Sequence, residues 1–138
     1  RQNLPQLSKN ISEADVMRGG YVLSDCDGKP DAILIATGSE VGLAMQAQES
    51  LRAKGKSVRV VSMPCTSVFD RQDQSWHANV LPSGIKRIAI EAGHPDLWWK
   101  YVGLDGAVVG INRFGESAPA AAVYKALGVT VERIVELV

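Results

Sequence analysis

Five apolar residues stand in a row from Ala32 to Ala36, and beyond a short polar break the apolar positions open out to helical spacing at Leu43, Ala44, Ala47 and Leu51. An apolar run without alternation, bounded by turn residues, predicts a strand covered on both faces. Ser39 is the expected N-cap of the helix that follows, Glu40 places negative charge in its first turn, and Lys54-Gly55 supplies a cation and a terminating glycine. Residues 57–63 read as the next strand, stopped by Pro64. Strand, helix and strand in this order form a βαβ unit and so a parallel pair. The alternation continues: a helix over 70–79, a strand over 87–91, a helix over 95–102 and a strand over 107–111. A helix capped by Ser117 with Pro119 in its first turn follows, and a last helix covers 131–137.

Upstream, Gly19-Gly20 opens a short strand over 21–25, and Asp27-Gly28-Lys29-Pro30 is a turn cluster. So short a link predicts that this first strand pairs antiparallel with Ala32–Ala36. The fold class expected is α/β: a three-layer αβα sandwich whose five-stranded sheet has four parallel strands and one antiparallel edge strand. Residues 1–18 read as a polar linker and 19–138 as the α/β domain.

Composition narrows the function classes. The chain has 138 residues, of which 46% are hydrophobic and 22% charged, the balance of an ordinary globular domain. Fifteen basic residues offset fifteen acidic ones without a basic tract, which gives no electrostatic reason to expect a nucleic-acid partner. The longest apolar runs are too short to cross a bilayer. Cys26 and Cys65 are read as reduced thiols of a cytoplasmic protein, and neither shares zinc-type spacing with His77 or His94. Arg1 is not an initiator and runs straight into linker-like text, so the sequence is expected to be a piece of a larger protein.

In an open α/β sheet, ligands sit beyond the carboxyl ends of the strands. Four loops are expected there: 37–40, 64–67, 91–94 and 112–117. Thr37-Gly38-Ser39-Glu40 is either an anion cradle of backbone N–H groups or a plain helix cap; Glu40 would repel a phosphate. Glu91 and His94 are either an acid/base pair or structural residues. Arg113 binds an anion or pairs with Glu116. Trp98 and Trp99 point in different directions on a helix, so one faces the core and the other is available for a domain or subunit contact. There is no nucleophilic triad and no nicotinamide fingerprint, and no catalytic residue is assigned.

Several strings together carry a resemblance. Arg1-Gln2-Asn3-Leu4-Pro5, Arg18-Gly19-Gly20-Tyr21-Val22-Leu23, Ile35-Ala36-Thr37-Gly38-Ser39-Glu40-Val41, Val60-Val61-Ser62-Met63-Pro64 and Phe114-Gly115-Glu116-Ser117-Ala118-Pro119 resemble, in order and spacing, the C-terminal domain of transketolases. The resemblance covers essentially the whole chain. It implies a cytoplasmic, homodimeric parent enzyme of the pentose phosphate pathway. That enzyme transfers a two-carbon ketol group from a ketose phosphate to an aldose phosphate. It uses thiamine diphosphate and a divalent metal, Mg or Ca, bound by N-terminal and middle domains that this chain lacks. No cofactor or metal is therefore expected on this chain. One functional position carries over: Arg1 matches the family arginine that binds the phosphate of the sugar substrate. The resemblance further implies domain and dimer contacts and an isolated domain without activity. Two alternatives are a stand-alone anion- or nucleotide-binding regulatory module and a subunit of a split transketolase.

Overall fold

A computed structural model of the chain describes Leu4 and residues 11–138. A one-turn helix, α1 (Glu13–Val16), leads into β1 (Tyr21–Ser24) and β2 (Ala32–Ala36). A 3-10 turn at Gly38–Glu40 runs into α2 (Val41–Ala53), followed by β3 (Val58–Ser62). The short helices α3 (Thr66–Phe69) and α4 (Gln74–Val80) precede β4 (Lys86–Ile90), α5 (Asp96–Val102) and β5 (Ala107–Val109). The helices α6 (Ala120–Leu127) and α7 (Val131–Glu136) complete the described order.

Among the described residues the sheet has the order β1-β3-β2-β4-β5. Strands β3, β2, β4 and β5 run parallel, and β1 lies antiparallel at one edge. This is the expected αβα sandwich. The alternating side chains of the strands divide the core in two. Leu34, Ala36, Val60, Ile88 and Ile90 pack with Ala44, Ala47 and Leu51 of α2 and Ile134 of α7. Ile33, Ile35, Val61 and Ala89 pack on the opposite face with Phe69, Val80, Trp98 and Tyr101. All of β2 is buried, as its unbroken apolar run requires.

The antiparallel partner of β1 differs from expectation: it is β3, not β2. The seven residues between β1 and β2 reach at most about 25 Å, ample for passing beneath one intervening strand, a step of about 10 Å. Side chains then fix the choice. Arg59 of β3 grips the Asp25 carboxylate through Nε and Nη2, at 2.9 and 2.8 Å. The Ser24 hydroxyl donates to Gln48 of α2 at 2.9 Å, and Gln48 donates to the Val58 carbonyl at 2.8 Å.

Two caps also differ. Ser39 does not cap α2; its hydroxyl donates to the neighbouring Glu40 carboxylate at 2.7 Å. Ser117 caps nothing among the described bonds, because α6 begins only at Ala120, after an extended Pro119. The residue before a proline is pushed out of the helical region, which holds the start back. The helix expected over 70–79 starts later, as α4 at Gln74, where Asp73 caps it by accepting from the Trp76 amide at 2.7 Å, and the separate helix α3 lies ahead of the expected span.

Candidate functional site

The loops at 37–40, 64–67, 91–94 and 112–117 do converge at the carboxyl end of the sheet. Strand order places the reversal of direction between β2 and β4, so the crevice lies between the loops after Ala36 and Ile90. Glu40 occupies it. Its side chain is drawn inward at the start of α2, and the residue is only 4% exposed. Its carboxylate accepts from the Ser39 hydroxyl and from the Tyr124 phenol of α6. The Ser39 and Tyr124 oxygens are themselves 3.1 Å apart. A carboxylate so placed answers the positive end of the α2 dipole and satisfies its own desolvation through hydroxyls.

Glu91, at the end of β4, lies close enough to feel this charge. Partial burial and then the nearby Glu40 carboxylate hold its pKa above the ordinary glutamate value. His94 is engaged elsewhere, with Nδ1 3.5 Å from Asp96. The two residues considered as an acid/base pair thus have different partners. Arg113 donates to the Ala126 carbonyl at 2.8 Å and lies 3.5 Å from Glu116, which is the ion-pair alternative rather than an open anion site. The N–H groups at Thr37–Glu40 are a poor anion cradle, because the Glu40 amide already bonds the Thr37 carbonyl and its carboxylate fills the crevice.

A second polar cluster escapes sequence reasoning. Asp70 accepts from Lys100 at 2.7 Å and from the Tyr101 hydroxyl at 2.8 Å, tying the end of α3 to α5. Lys100, and more weakly Tyr101, hold the Asp70 pKa below its ordinary value against some desolvation. Burial, reinforced by the bond to Asp70, pushes the Tyr101 phenol up to about 12. The tryptophan pair divides as expected: Trp98 is 2% exposed and Trp99 47%. Among the described residues no group of three or more His, Cys, Asp and Glu is placed to hold a metal. Arg1 lies outside the described residues.

Comparison with known proteins agrees along the chain. Residues 19–130 match the family described as the transketolase-like TK C-terminal domain. The chain is 56% identical over 137 residues to transketolase 1 of Vibrio vulnificus (strain YJ016), covering 98% of this chain and 21% of that protein. It is 59% identical over 141 residues to transketolase 1 of Pasteurella multocida, covering 99% and 21%. The chain therefore spans about a fifth of the length of these relatives. A crystal structure of Pichia stipitis transketolase in complex with sedoheptulose-7-phosphate superposes with a TM-score of 0.88 at 38% identity, over 98% of this chain and 19% of that one. A split-gene transketolase described as an inactive beta4 tetramer shares the fold, with a TM-score of 0.71 at 24% identity, over 99% of this chain and 46% of that one.

Proposed function

Since the chain belongs to the family of transketolase C-terminal domains, we propose that it works as the C-terminal domain of a thiamine diphosphate-dependent transketolase. The whole enzyme would move a two-carbon ketol unit from a ketose phosphate to an aldose phosphate, as a cytoplasmic homodimer. The observation that carries this reading is near-complete coverage at 56% identity by a transketolase five times as long. The Pichia stipitis likeness extends the same agreement to the fold.

Within that enzyme the domain's direct contribution to chemistry is substrate binding. Arg1 is proposed to hold the phosphate of the sugar. A guanidinium stays charged at every physiological pH and forks onto two phosphate oxygens, which suits an anchor remote from the reacting carbons. The described residues do not fit the cofactor's diphosphate. Glu40 sets a carboxylate at the crevice where a diphosphate would need donors. Cofactor and metal (Mg or Ca) are accordingly assigned to the N-terminal and middle domains of the full-length protein. The same carboxylate weighs against a stand-alone anion-binding module.

The test is a graft of this chain in place of the C-terminal fifth of the Vibrio vulnificus relative. The grafted enzyme is expected to carry out ketol transfer. Arg1→Ala in the graft is expected to raise KM for phosphorylated sugars about tenfold or more, the worth of one charge-assisted contact, and to leave unphosphorylated sugars nearly unchanged. Equal effects on both substrate types would remove the phosphate role.

A further inference from the structure

Arg59, Arg87, Arg113 and Arg133 each donate to a carbonyl or carboxylate of this chain. Arg18 does not. Its half-buried guanidinium lies 4.2 Å from the centroid of the Trp76 ring, and among the described residues it has no hydrogen bond and no ion pair. The stack is fixed from both sides. The Trp76 indole N–H donates to the Gly20 carbonyl at 3.0 Å, and the Trp76 amide donates to Asp73 at 2.7 Å. Behind Arg18 the chain is pressed onto the start of α3. Gly19 has a φ of 80°, and its carbonyl accepts from the Cys65 amide at 2.9 Å. A Cβ at Gly19 would lie 2.4 Å from the Cys65 carbonyl, so only glycine allows this approach. A guanidinium held on an aromatic face in this way keeps its fork of donors in place and loses little freedom when an acceptor arrives.

A second cation stands close by. Arg71 is exposed and, like Arg18, has no ion pair or side-chain hydrogen bond among the described residues. Its amide donates to the Val68 carbonyl at 3.2 Å, and the Val68 side chain sits 2.8 Å from where a Gly19 Cβ would be. The carboxylates at the adjoining helix ends are engaged: Asp70 by Lys100 and Tyr101, Asp73 by the Trp76 amide. Both arginines thus flank the loop after β3, one of the four at the carboxyl end of the sheet. The exposed Cys65 thiol of that loop is held below its ordinary pKa by the Ser67 hydroxyl, then by the Val68 amide, and in smaller part by Arg71. The crevice that Glu40 fills repels an anion; this loop attracts one. Two unanswered cations match a dianion better than a single carboxylate, and a phosphate group supplies that charge with three acceptor oxygens.

We propose that Arg18 and Arg71 form a phosphate-binding site beside the loop after β3, taking free phosphate or the phosphate group of a small metabolite such as a sugar phosphate. Arg18 supplies the fixed fork and Arg71 the second charge. Arg1 has no part in it, and its existence does not depend on ketol transfer.

Titration of this chain with inorganic phosphate and with fructose 6-phosphate, followed by proton–nitrogen correlation NMR at constant ionic strength, tests the site. Saturable shifts are expected at the Nε–H groups of Arg18 and Arg71 and at the Trp76 indole N–H. Arg18→Gln should weaken binding about tenfold or more, the worth of one charge-assisted contact. Arg18→Lys should recover little of this, because an ammonium does not fork. Arg71→Gln, which leaves the stack untouched, should weaken binding by a smaller factor, and Arg1→Ala should not change it. Cys65 gives a second readout: bound phosphate should slow its alkylation by iodoacetamide about threefold, through a raised thiol pKa, and Arg18→Gln should abolish that protection. Tighter binding of fructose 6-phosphate than of phosphate would assign the site to sugar phosphates, and equal binding to the free ion. The site is overturned by the absence of a saturable shift with either probe, or by shifts that sodium chloride reproduces at equal ionic strength. Binding lost in Arg1→Ala but kept in both Arg18→Gln and Arg71→Gln would overturn it too.

Discussion

At the amino end of the sheet, arginines close the structure off. Arg59 and Arg87, the second residues of β3 and β4, reach carbonyls at and just beyond the ends of α4 and α5. Arg59 donates to the Asn79 carbonyl at 2.7 Å. Arg87 donates to Tyr101 and Leu81 at 2.9 Å each and to Pro82 at 3.1 Å. A guanidinium at a helix C-terminus satisfies orphan acceptors and answers the negative end of the dipole together. The carboxyl end has no such closure. Among the described residues its deeply buried charge is Glu40, which is held by hydroxyls, and around it stand exposed apolar groups. The contrast teaches that one end is tied down by its own arginines, while the other retains apolar area that the described residues do not cover.

Substitutions at each end test that contrast. The largest effect is expected from Arg87→Ala, which strips donors from three carbonyls and should cost about 3 kcal/mol in urea unfolding. Arg87→Lys should recover less than half of this, because a single ammonium cannot fork across Leu81, Pro82 and Tyr101. A cost below about 1 kcal/mol would mean that water replaces the guanidinium readily and that the amino end is less closed than its bonds suggest. Tyr124→Phe, at the carboxyl end, should cost about 1.5 kcal/mol through loss of the phenol bond to Glu40. Its signature is local: faster amide exchange over residues 120–127, with β2 and β3 unchanged. A uniform change across the sheet would show that α6 is not held separately.

The smallest effect concerns Glu91. Its raised pKa means that the folded state keeps the proton longer than the unfolded chain does. Stability is therefore given up as pH rises from the ordinary glutamate pKa through the raised one. Glu91→Gln removes that loss. The variant should melt at the same temperature as the wild type near pH 4 and slightly higher at pH 7. A Tm difference independent of pH would show that neither burial nor the Glu40 carboxylate holds the Glu91 pKa up.

The parts legible in the sequence were those set by local pattern. The run at Ala32–Ala36 announced a doubly covered strand, and Lys54-Gly55 marked the end of α2, where Gly55 adopts the positive φ of 77° that favours glycine. The split fates of Trp98 and Trp99 followed from helical geometry. What depended on distant partners was not legible. The choice of β3 over β2 for β1 turns on Asp25 meeting Arg59 and Ser24 meeting Gln48. Tyr124 reaches Glu40 across 84 residues, and nothing near either one signals it. Arg59 and Arg87 did carry a faint sign, since each is a cation near the start of a largely apolar strand. Of the proposed site, Arg1 was reached through resemblance alone, because a lone arginine before Gln2 and Asn3 has no pattern that physics could single out.

The central claim is that this domain completes a transketolase rather than acting by itself. Steady-state ketol transfer, measured with thiamine diphosphate and Mg2+ on the grafted Vibrio vulnificus enzyme and on this chain alone, tests it most directly. Turnover by the graft and none by the chain is the predicted result. A folded, dimeric graft without turnover, or measurable turnover by the chain alone, would contradict it.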